Sequence, residues 1–560
     1  MRRVQNRRPA CGSDRGRLRP SLAPARRIGF GAGLAALALA LVVAARPGSA
    51  QEPEPAGEGA GPTQRVSAAR SLADRKQFAA AAEILREVVR EEPENTAALA
   101  LLARVLAWGR HFDESIRVYE RLLTVTADGA LDRAGYARVL AWSGRYAPAL
   151  REFRRALEAD AMNLETRLGY ARAMSWAGDL AGASQEYARI LDADSSYGDA
   201  WLGLATTARW RGAAPAGDRF LARAAARGAD ADGVREEQEA LARGLAARIG
   251  SGWQITRERQ YVSGSTPFTI ESSGPFAVGT ATPGRAVGLG VRAGRYRLWE
   301  RRAALPSDTT LNYDLRASIL SGDLSFLRAY SLQLAAGATV ERLEPRSTHV
   351  LYPLGGDRTF VGARGRLWGY WGRLTPSVSA AREFLPLKGQ DPTTGSRRLE
   401  PGGVTAGEFA LDWQIDHRWS ADAAASRGFY SDENRRTTLG AGGRYCARLA
   451  RPRVALDYAW SYTDFDSPSQ SYFTPLASAK HTAGISVSGY AERSSLDWGA
   501  RYQLTSLFSG NFPDLFIHSW SGSVDLVLFD LVPAGIGGYY SIDNQHYSTW
   551  GLTVSAQARW

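Results

Sequence analysis

Only two of the 560 residues are cysteine, three are methionine and six are histidine. Cys11 lies in an arginine-rich leader, which leaves Cys446 alone in the remainder, so neither a disulfide nor a cysteine-based zinc site can form within it. The histidines (His111, His349, His417, His481, His518 and His546) are scattered without metal-ligand spacing. No nucleophile elbow, phosphate loop or dinucleotide fingerprint appears, so no catalytic, cofactor or metal residue is assigned and the expectation is a non-enzyme. Asp416-His417 and His518-Ser519 are pairs that a rim hydrolase would use. Spacing assigns them no third partner, and they read as polar residues at strand ends. After residue 50 there is also no long apolar run, which excludes helical membrane spans there.

The charge of +12 is deceptive, because ten of the cations and one acid fall in residues 1–50, leaving +3 for the rest. The basicity belongs to the leader, and no nucleic-acid partner is expected. Residues 1–50 comprise an arginine-rich stretch, an apolar run Ile28 to Ala45 and the small-residue exit Gly48-Ser49-Ala50. This layout predicts a secretory signal peptide cut after Ala50, with an uncleaved anchor as the alternative. The long stretch before the apolar run is consistent with a start later than Met1. Residues 51–64, rich in Gly, Pro and Glu, predict a flexible linker.

From 65 to 249 the chain turns to Ala, Leu, Arg and Glu with helical spacing. Trp108, Trp142, Trp176 and Trp210 recur every 34 residues, and Phe78, Phe112, Tyr146, Leu180 and Ala214 keep the same period. About five two-helix units are implied. In the third, Leu131 to Trp142 forms one helix, Gly144-Arg145 the turn, and Tyr146 opens the next. Small residues (Ala81, Ser115, Ala149, Ala183 and Gly217) recur where two backbones must approach, and Glu92-Pro93 ends the first unit. The pattern resembles tetratricopeptide (TPR) repeats, with Val234 to Arg248 as a capping helix. The resemblance implies an α-solenoid that holds a protein partner. The recurrent tryptophans, with Phe112 and Tyr146, are read as interhelical packing residues rather than a ligand-stacking row.

Beyond residue 250 the apolar period falls to 2. Leu552, Val554, Ala556, Ala558 and Trp560 alternate with Gly551, Thr553, Ser555, Gln557 and Arg559, and Leu311–Ile319, Glu408–Asp416, Arg453–Thr463 and Leu496–Thr505 alternate likewise. Many such strands with charges on one face and aromatics at the ends of the other predict a transmembrane antiparallel β-barrel of 14–16 strands over 250–560, the whole being a multidomain α + β chain. Gly264 to Gly284, Leu387 to Gly403 and Asp466 to Ser478 are candidate outer loops, the first of which could hide a strand. The polar faces nominate Asp314, Arg316, Asp412, Asp457, Asp497, Arg501 and Arg559 as pore-lining residues, set against mutual pairing along the wall.

The last residues, Leu552, Val554, Ala556, Ala558 and Trp560, resemble the signal read by the outer-membrane barrel-assembly machinery. A TPR stack followed by a barrel resembles the outer-membrane exporters of cellulose and poly-N-acetylglucosamine. In "LAWGRHFDESIRVYERLL" and "LAWSGRYAPALREFRRAL" the chain is most similar to the YaiO family of outer-membrane proteins. The resemblance implies a barrel in outer-membrane lipid, a periplasmic TPR domain with a protein partner, and assistance to exopolysaccharide export through a polar lumen. Glycan exporters carry far longer repeat arrays. The alternatives are therefore a closed barrel anchoring an interaction scaffold and, from another class, an outer-membrane hydrolase.

Overall fold

The computed structural model describes residues 61–126, 129–260, 268–283, 287–302, 311–326, 332–347, 349–390, 394–469, 474–491, 496–528 and 532–559. The expected signal peptide, most of the linker and Trp560 lie outside them. Eleven helices form a TPR-like solenoid, followed by sixteen antiparallel strands that close into a barrel. The helices are α1 (Pro62–Asp74), α2 (Phe78–Glu91), α3 (Thr96–Trp108), α4 (Phe112–Val125), α5 (Ala130–Trp142), α6 (Tyr146–Ala159), α7 (Leu164–Ala177), α8 (Leu180–Ala193), α9 (Gly198–Trp210), α10 (Ala214–Ala226) and α11 (Ala231–Leu245). Two compact units divide within α5, one ending at Val139 and the other running from Leu140 through the barrel.

The helical pairs close as their period predicts. Ala81, Ser115, Ala149 and Ala183 are fully buried, and a larger side chain there would push neighbouring helices apart. Asn95 and Asn163 cap α3 and α7, accepting from Ala98 N and Thr166 N at 2.9 Å. Between the two helices of every pair one residue adopts positive φ: Lys76 (62°), Arg110 (66°), Gly144 (79°), Gly178 (94°) and Gly212 (85°). Glycine takes that conformation without penalty, whereas a side chain bears a cost of about 1–2 kcal/mol. The capping helix lies slightly earlier than expected, at Ala231–Leu245, and α1 already begins at Pro62, inside the segment read as a linker.

The strands are β1 (Arg248–Gln260), β2 (Phe268–Ala281), β3 (Val287–Arg302), β4 (Leu311–Phe326), β5 (Gln333–Pro345), β6 (Arg358–Trp368), β7 (Leu374–Gln390), β8 (Arg397–Gln414), β9 (Trp419–Tyr430), β10 (Arg435–Arg448), β11 (Arg453–Phe465), β12 (Ser478–Ala491), β13 (Leu496–Phe508), β14 (Leu515–Leu528), β15 (Val532–Asp543) and β16 (Tyr547–Arg559). Each pairs with its sequence neighbours, and β1 pairs with β16 from Arg248–Arg559 to Gln260–Tyr547, so no edge is left open. Of the expected loops, Gly264–Gly284 holds the strand given as its alternative, β2, and Leu387–Gly403 is corrected: β7 and β8 occupy most of it, because their hairpin continues as paired ladder to Gln390–Arg397. The ladder between β6 and β7 is short, running only from Ala363–Arg382 to Trp368–Ser377.

Every strand except β2 exposes a large apolar side chain on its outer face, among them Trp253, Leu320, Val361, Phe409, Leu456, Trp520 and Val554. So continuous an apolar surface is unfavourable against water and suits lipid. On β9, Trp419 and Phe429 mark the two ends of this surface; ten residues at a rise of about 3.3 Å and a tilt of about 40° span about 25 Å, the height of a bilayer-facing band. An aromatic row, Tyr502, Trp520, Tyr540 and Trp550, crosses four strands on that face.

The positive-φ turns generate a prediction. Arg110→Gly should stabilise the full-length protein in detergent by about 1 kcal/mol, read as a rise in the helical melting transition by circular dichroism at 222 nm, and Gly178→Ala should lower it. An unchanged or lowered transition in Arg110→Gly would show that the turn does not bear this cost.

Candidate functional site

The candidate site is the barrel lumen with its two ends, called near (where β1 follows α11) and far. Strand parity assigns the walls, since alternate residues face opposite sides. Asp412 alternates with exposed Phe409 and Trp413, Asp457 with Leu456 and Tyr458, and Asp497 and Arg501 are out of phase with Leu504, so all four face inward. Asp314 and Arg316 are a correction. They share parity with exposed Leu320 and Leu324 and therefore stand on the outer face, where Asp314 accepts from Arg297 Nε at 3.0 Å and Nη at 2.9 Å. Arg559 pairs with Arg248 through its backbone.

Four inward acids share a device. Asp323, Asp422, Asp457 and Asp525 each lie directly opposite a glycine on the next strand: Gly337, Gly442, Gly484 and Gly535. A methyl group on any of these glycines would come closer than 3.0 Å to the carboxylate. The missing side chain lets the carboxylate lie along the wall and reach past one strand. Asp323 thereby meets Arg364 of β6, Nε to Oδ1 2.7 Å, and Asp457 meets Arg501 of β13, with Arg444 at 3.6 Å on its other side. The sequence shows each Asp and each Gly, but their opposition requires the register.

At the near end two pairs of inward carboxylates face one another across adjacent strands, Asp412 with Asp422 and Asp497 with Asp525. Like charges placed opposite each other oppose sheet pairing, a local cost in stability. The wall made by β14, β15, β16 and β1 is different. One row reads Ser523, Gly537, Thr553 and Gln254, the next Ser521, Tyr539, Gly551 and Thr256, and a third Ser519, Ser541, Thr549 and Glu258. The first two rows carry no charge. Hydroxyls bond along the inner wall, Ser541 donating to Ser519 Oγ at 2.8 Å and the Thr482 and Thr505 hydroxyls hydrogen-bonding to each other at 2.9 Å.

The far mouth is covered on one side. The end of the β7–β8 hairpin and the segment 349–357 fold inward, Leu399 N donating to Pro353 O at 3.1 Å and Tyr352 N to Asn312 O at 2.7 Å. Leu354 and Leu399 then pack with Tyr313, Leu315, Ala317 and Leu343. This explains the reversal of β4: its apolar face is turned inward against these segments. Lys388 of β7 reaches Glu300 of β3 at 2.7 Å, and Asn312, brought to the same side by a bulge opposite Glu300/Arg301, donates to that carboxylate at 2.6 Å. Glu300 is only 3% exposed, so removing Lys388 would strand a buried charge, typically a loss of about 3–5 kcal/mol.

At the near end, three turns of the barrel are bonded to the fourth and fifth helical pairs. Arg373, between β6 and β7, forms a two-pronged pair with Asp179 at 3.0 Å, while Asp179 also caps α8 through Gly182 N at 2.8 Å. Gln414 Nε2 donates to Gly178 O at 2.7 Å and Arg453 Nη to Trp176 O at 3.1 Å. The Arg211 guanidinium stacks 4.3 Å over the Tyr370 ring, whose hydroxyl donates to Arg211 O. Burial raises the Asp179 carboxyl pKa despite the opposing Arg373. Burial also lowers that of His417, in the adjoining β8–β9 turn, against the pull of Asp416 and Asp179.

The remaining predicted residues separate. Trp108 and Trp142 are 45% and 40% exposed, so they are only partly packing residues, although Trp108 lies 6.0 Å from the Phe78 ring. Trp176 and Trp210 are half-buried, as are Phe112 and Tyr146. Leu552 and Val554 stand on the outer face, and Ala556 and Ala558 share their parity. His518 and Ser519 point to opposite faces of β14, His518 bonding Tyr502 Oη at 2.8 Å, so they form no dyad. Asp416 closes its turn by accepting from Arg418 N and Trp419 N.

A tetratricopeptide-repeat family model matches residues 72–142 and 140–206. No curated protein sequence matches the chain. Among solved structures, a bacterial polysaccharide outer membrane secretin is similar at 11% identity, over 56% of this chain and 99% of its own, with a TM-score of 0.39. PilW, a type IV pilus biogenesis factor, is similar at 19% identity over 33% of this chain and 86% of its own, TM-score 0.30. YrrB, a TPR protein with an unusual peptide-binding site, is similar at 16% over 32% and 92%, TM-score 0.26.

The glycine device is testable. Gly484→Ala should displace Asp457 from Arg501 and destabilise the barrel by about 1–3 kcal/mol, lowering the temperature at which folded protein converts to the slower-migrating form on semi-native gels. Gly407→Ala, where a methyl group meets open space, should leave it unchanged. Equal shifts in the two variants would refute the steric account.

Proposed function

We propose that the chain is an outer-membrane barrel with its helical repeats in the periplasm, assisting export of an exopolysaccharide through the lumen. The supporting observation is a pair of adjoining inner rows on β14–β16 and β1, Ser523–Gly537–Thr553–Gln254 and Ser521–Tyr539–Gly551–Thr256, that offer hydroxyl, amide and Gly positions and no charged side chain of their own. A sugar polymer exchanges hydrogen bonds with such a surface one residue at a time, with no energy source in the barrel. The repeats would hold a periplasmic protein of the synthesis machinery, and the bonded near-end turns would keep that partner beside the near mouth. In this reading the chain acts by passage and tethering, without catalysis or cofactor.

The covered far mouth favours a second reading, a closed barrel that anchors an interaction scaffold. Planar-bilayer conductance separates the two. Purified protein should conduct weakly, and Lys388→Ala, by releasing the hairpin from Glu300, should raise conductance several-fold. If Lys388→Ala and deletion of residues 383–403 both leave the barrel silent, passage through the lumen is refuted. A deletion strain that still places its polysaccharide outside the cell would end the export role.

A further inference from the structure

The outer face of β2–β5 carries a feature that neither the lumen nor the repeats use. Three rows of side chains cross it near the far end: Trp299 with Asp314, then Arg297, Arg316 and Glu344, then Arg295, Ser318 and Arg342. Below them the surface becomes apolar at Leu320 and Val340. At that boundary the wall is dented. Pro275 has no N–H to give β3, and the β2–β3 ladder skips Gly274 and Pro275 before resuming at Phe276–Gly294. The outward positions around the break are small: Ala277, Ala293 and Ser318. The result is a shallow, open recess lined by Leu320 and Val340, with Arg295 and Arg342 at its lip.

The charges at the lip do not cancel. Arg342 pairs with Asp357 at 2.7 Å and Glu344 at 3.4 Å, and Arg297 is satisfied by Asp314. Arg295 is exposed and has no acidic partner among the described residues. Its row partner Arg342 stands two strands away, about 10 Å by strand spacing. An exposed cation with no counter-charge, directly above an apolar recess and at the edge of the lipid-facing band, complements a molecule with an anionic head and an acyl tail.

We infer that this recess is a binding site for a phosphorylated, acylated glycolipid of the outer leaflet, one acyl chain filling the dent and a phosphate bridging Arg295 and Arg342. The choice of leaflet rests on the proposed orientation, in which the far end faces outward; the export role is not needed. Phosphate suits the site because guanidinium groups grip its oxygens in pairs.

The test uses the full-length protein in mild detergent, native mass spectrometry and two probes, bis-phosphorylated lipid A and phosphatidylglycerol. Wild type should retain lipid A, and Arg295→Ala with Arg342→Ala should reduce retention about tenfold. Leu320→Trp, which fills the dent and leaves both arginines, should reduce it as well, with semi-native gels verifying that each variant is folded. Retention of lipid A unaffected by either change refutes the site. Preference for phosphatidylglycerol refutes the outer-leaflet occupant. Because no polymer or partner enters the assay, an export-defective protein that still binds lipid A leaves this site standing.

Discussion

The β1–β16 ladder is the constraint on which the rest depends. A strand in hydrocarbon must bond every amide and carbonyl, and only a sheet that returns to its first strand does so. That return fixes β1, which follows α11 after two residues, beside the last strand, so the helices must leave the cylinder at the near end. It also fixes parity all the way round, and with it which acids face the lumen and which apolar residues face outward. The exposed apolar surface, a liability in a soluble protein, becomes the adhesive of a membrane-bound one.

Within that cylinder the two walls serve different ends. The charged wall is tied down: Asp323 and Asp457 reach past glycines to arginines two strands away, binding three strands together through one carboxylate. Between these two ties, β14–β16 and β1 carry hydroxyls whose bonds are neutral and readily exchanged. The near-end turns between β6 and β11 extend the rigid wall outward, since Arg373, Gln414 and Arg453 fasten it to the α7–α8 turn. Asp179 serves both partners, holding the first turn of α8 and the Arg373 guanidinium, so the helical and strand portions share a residue whose burial neither alone would create.

Much of this was legible in the sequence. The 34-residue spacing of the tryptophans placed helices to within a residue or two, because a stacked repeat must return the same side chains to the same neighbours. Period-2 alternation identified the strands and, on β8, β11, β13 and β16, the correct faces. It failed on β4. There the alternation of Tyr313, Leu315 and Ala317 with Asp314 and Arg316 was present, but which face met water was decided by Leu354 and Leu399, contributed by segments distant in sequence that fold into the mouth. The same hidden contact concealed strand structure in Leu387–Gly403. The opposition of Asp and Gly was illegible for a different reason: it is a property of register, and register is set by turn geometry at both ends of each hairpin. The tryptophan period points to packing because aromatics usually pack; burial of each ring is set by its neighbours, so Trp176 and Trp210 are half-buried while Trp108 and Trp142 stay exposed to solvent.

The short ladder between β6 and β7 adjoins the long one between β7 and β8. A cylinder with one thin seam does not open at random. Under mechanical or thermal load its first breach is set beside β6, above Ala363, where the inward-folded hairpin departs from the wall and the Phe360 and Phe384 rings, 5.7 Å apart, replace backbone bonds with side-chain contact. The seam that lets the hairpin bend into the mouth is thus also the line along which the barrel would unzip.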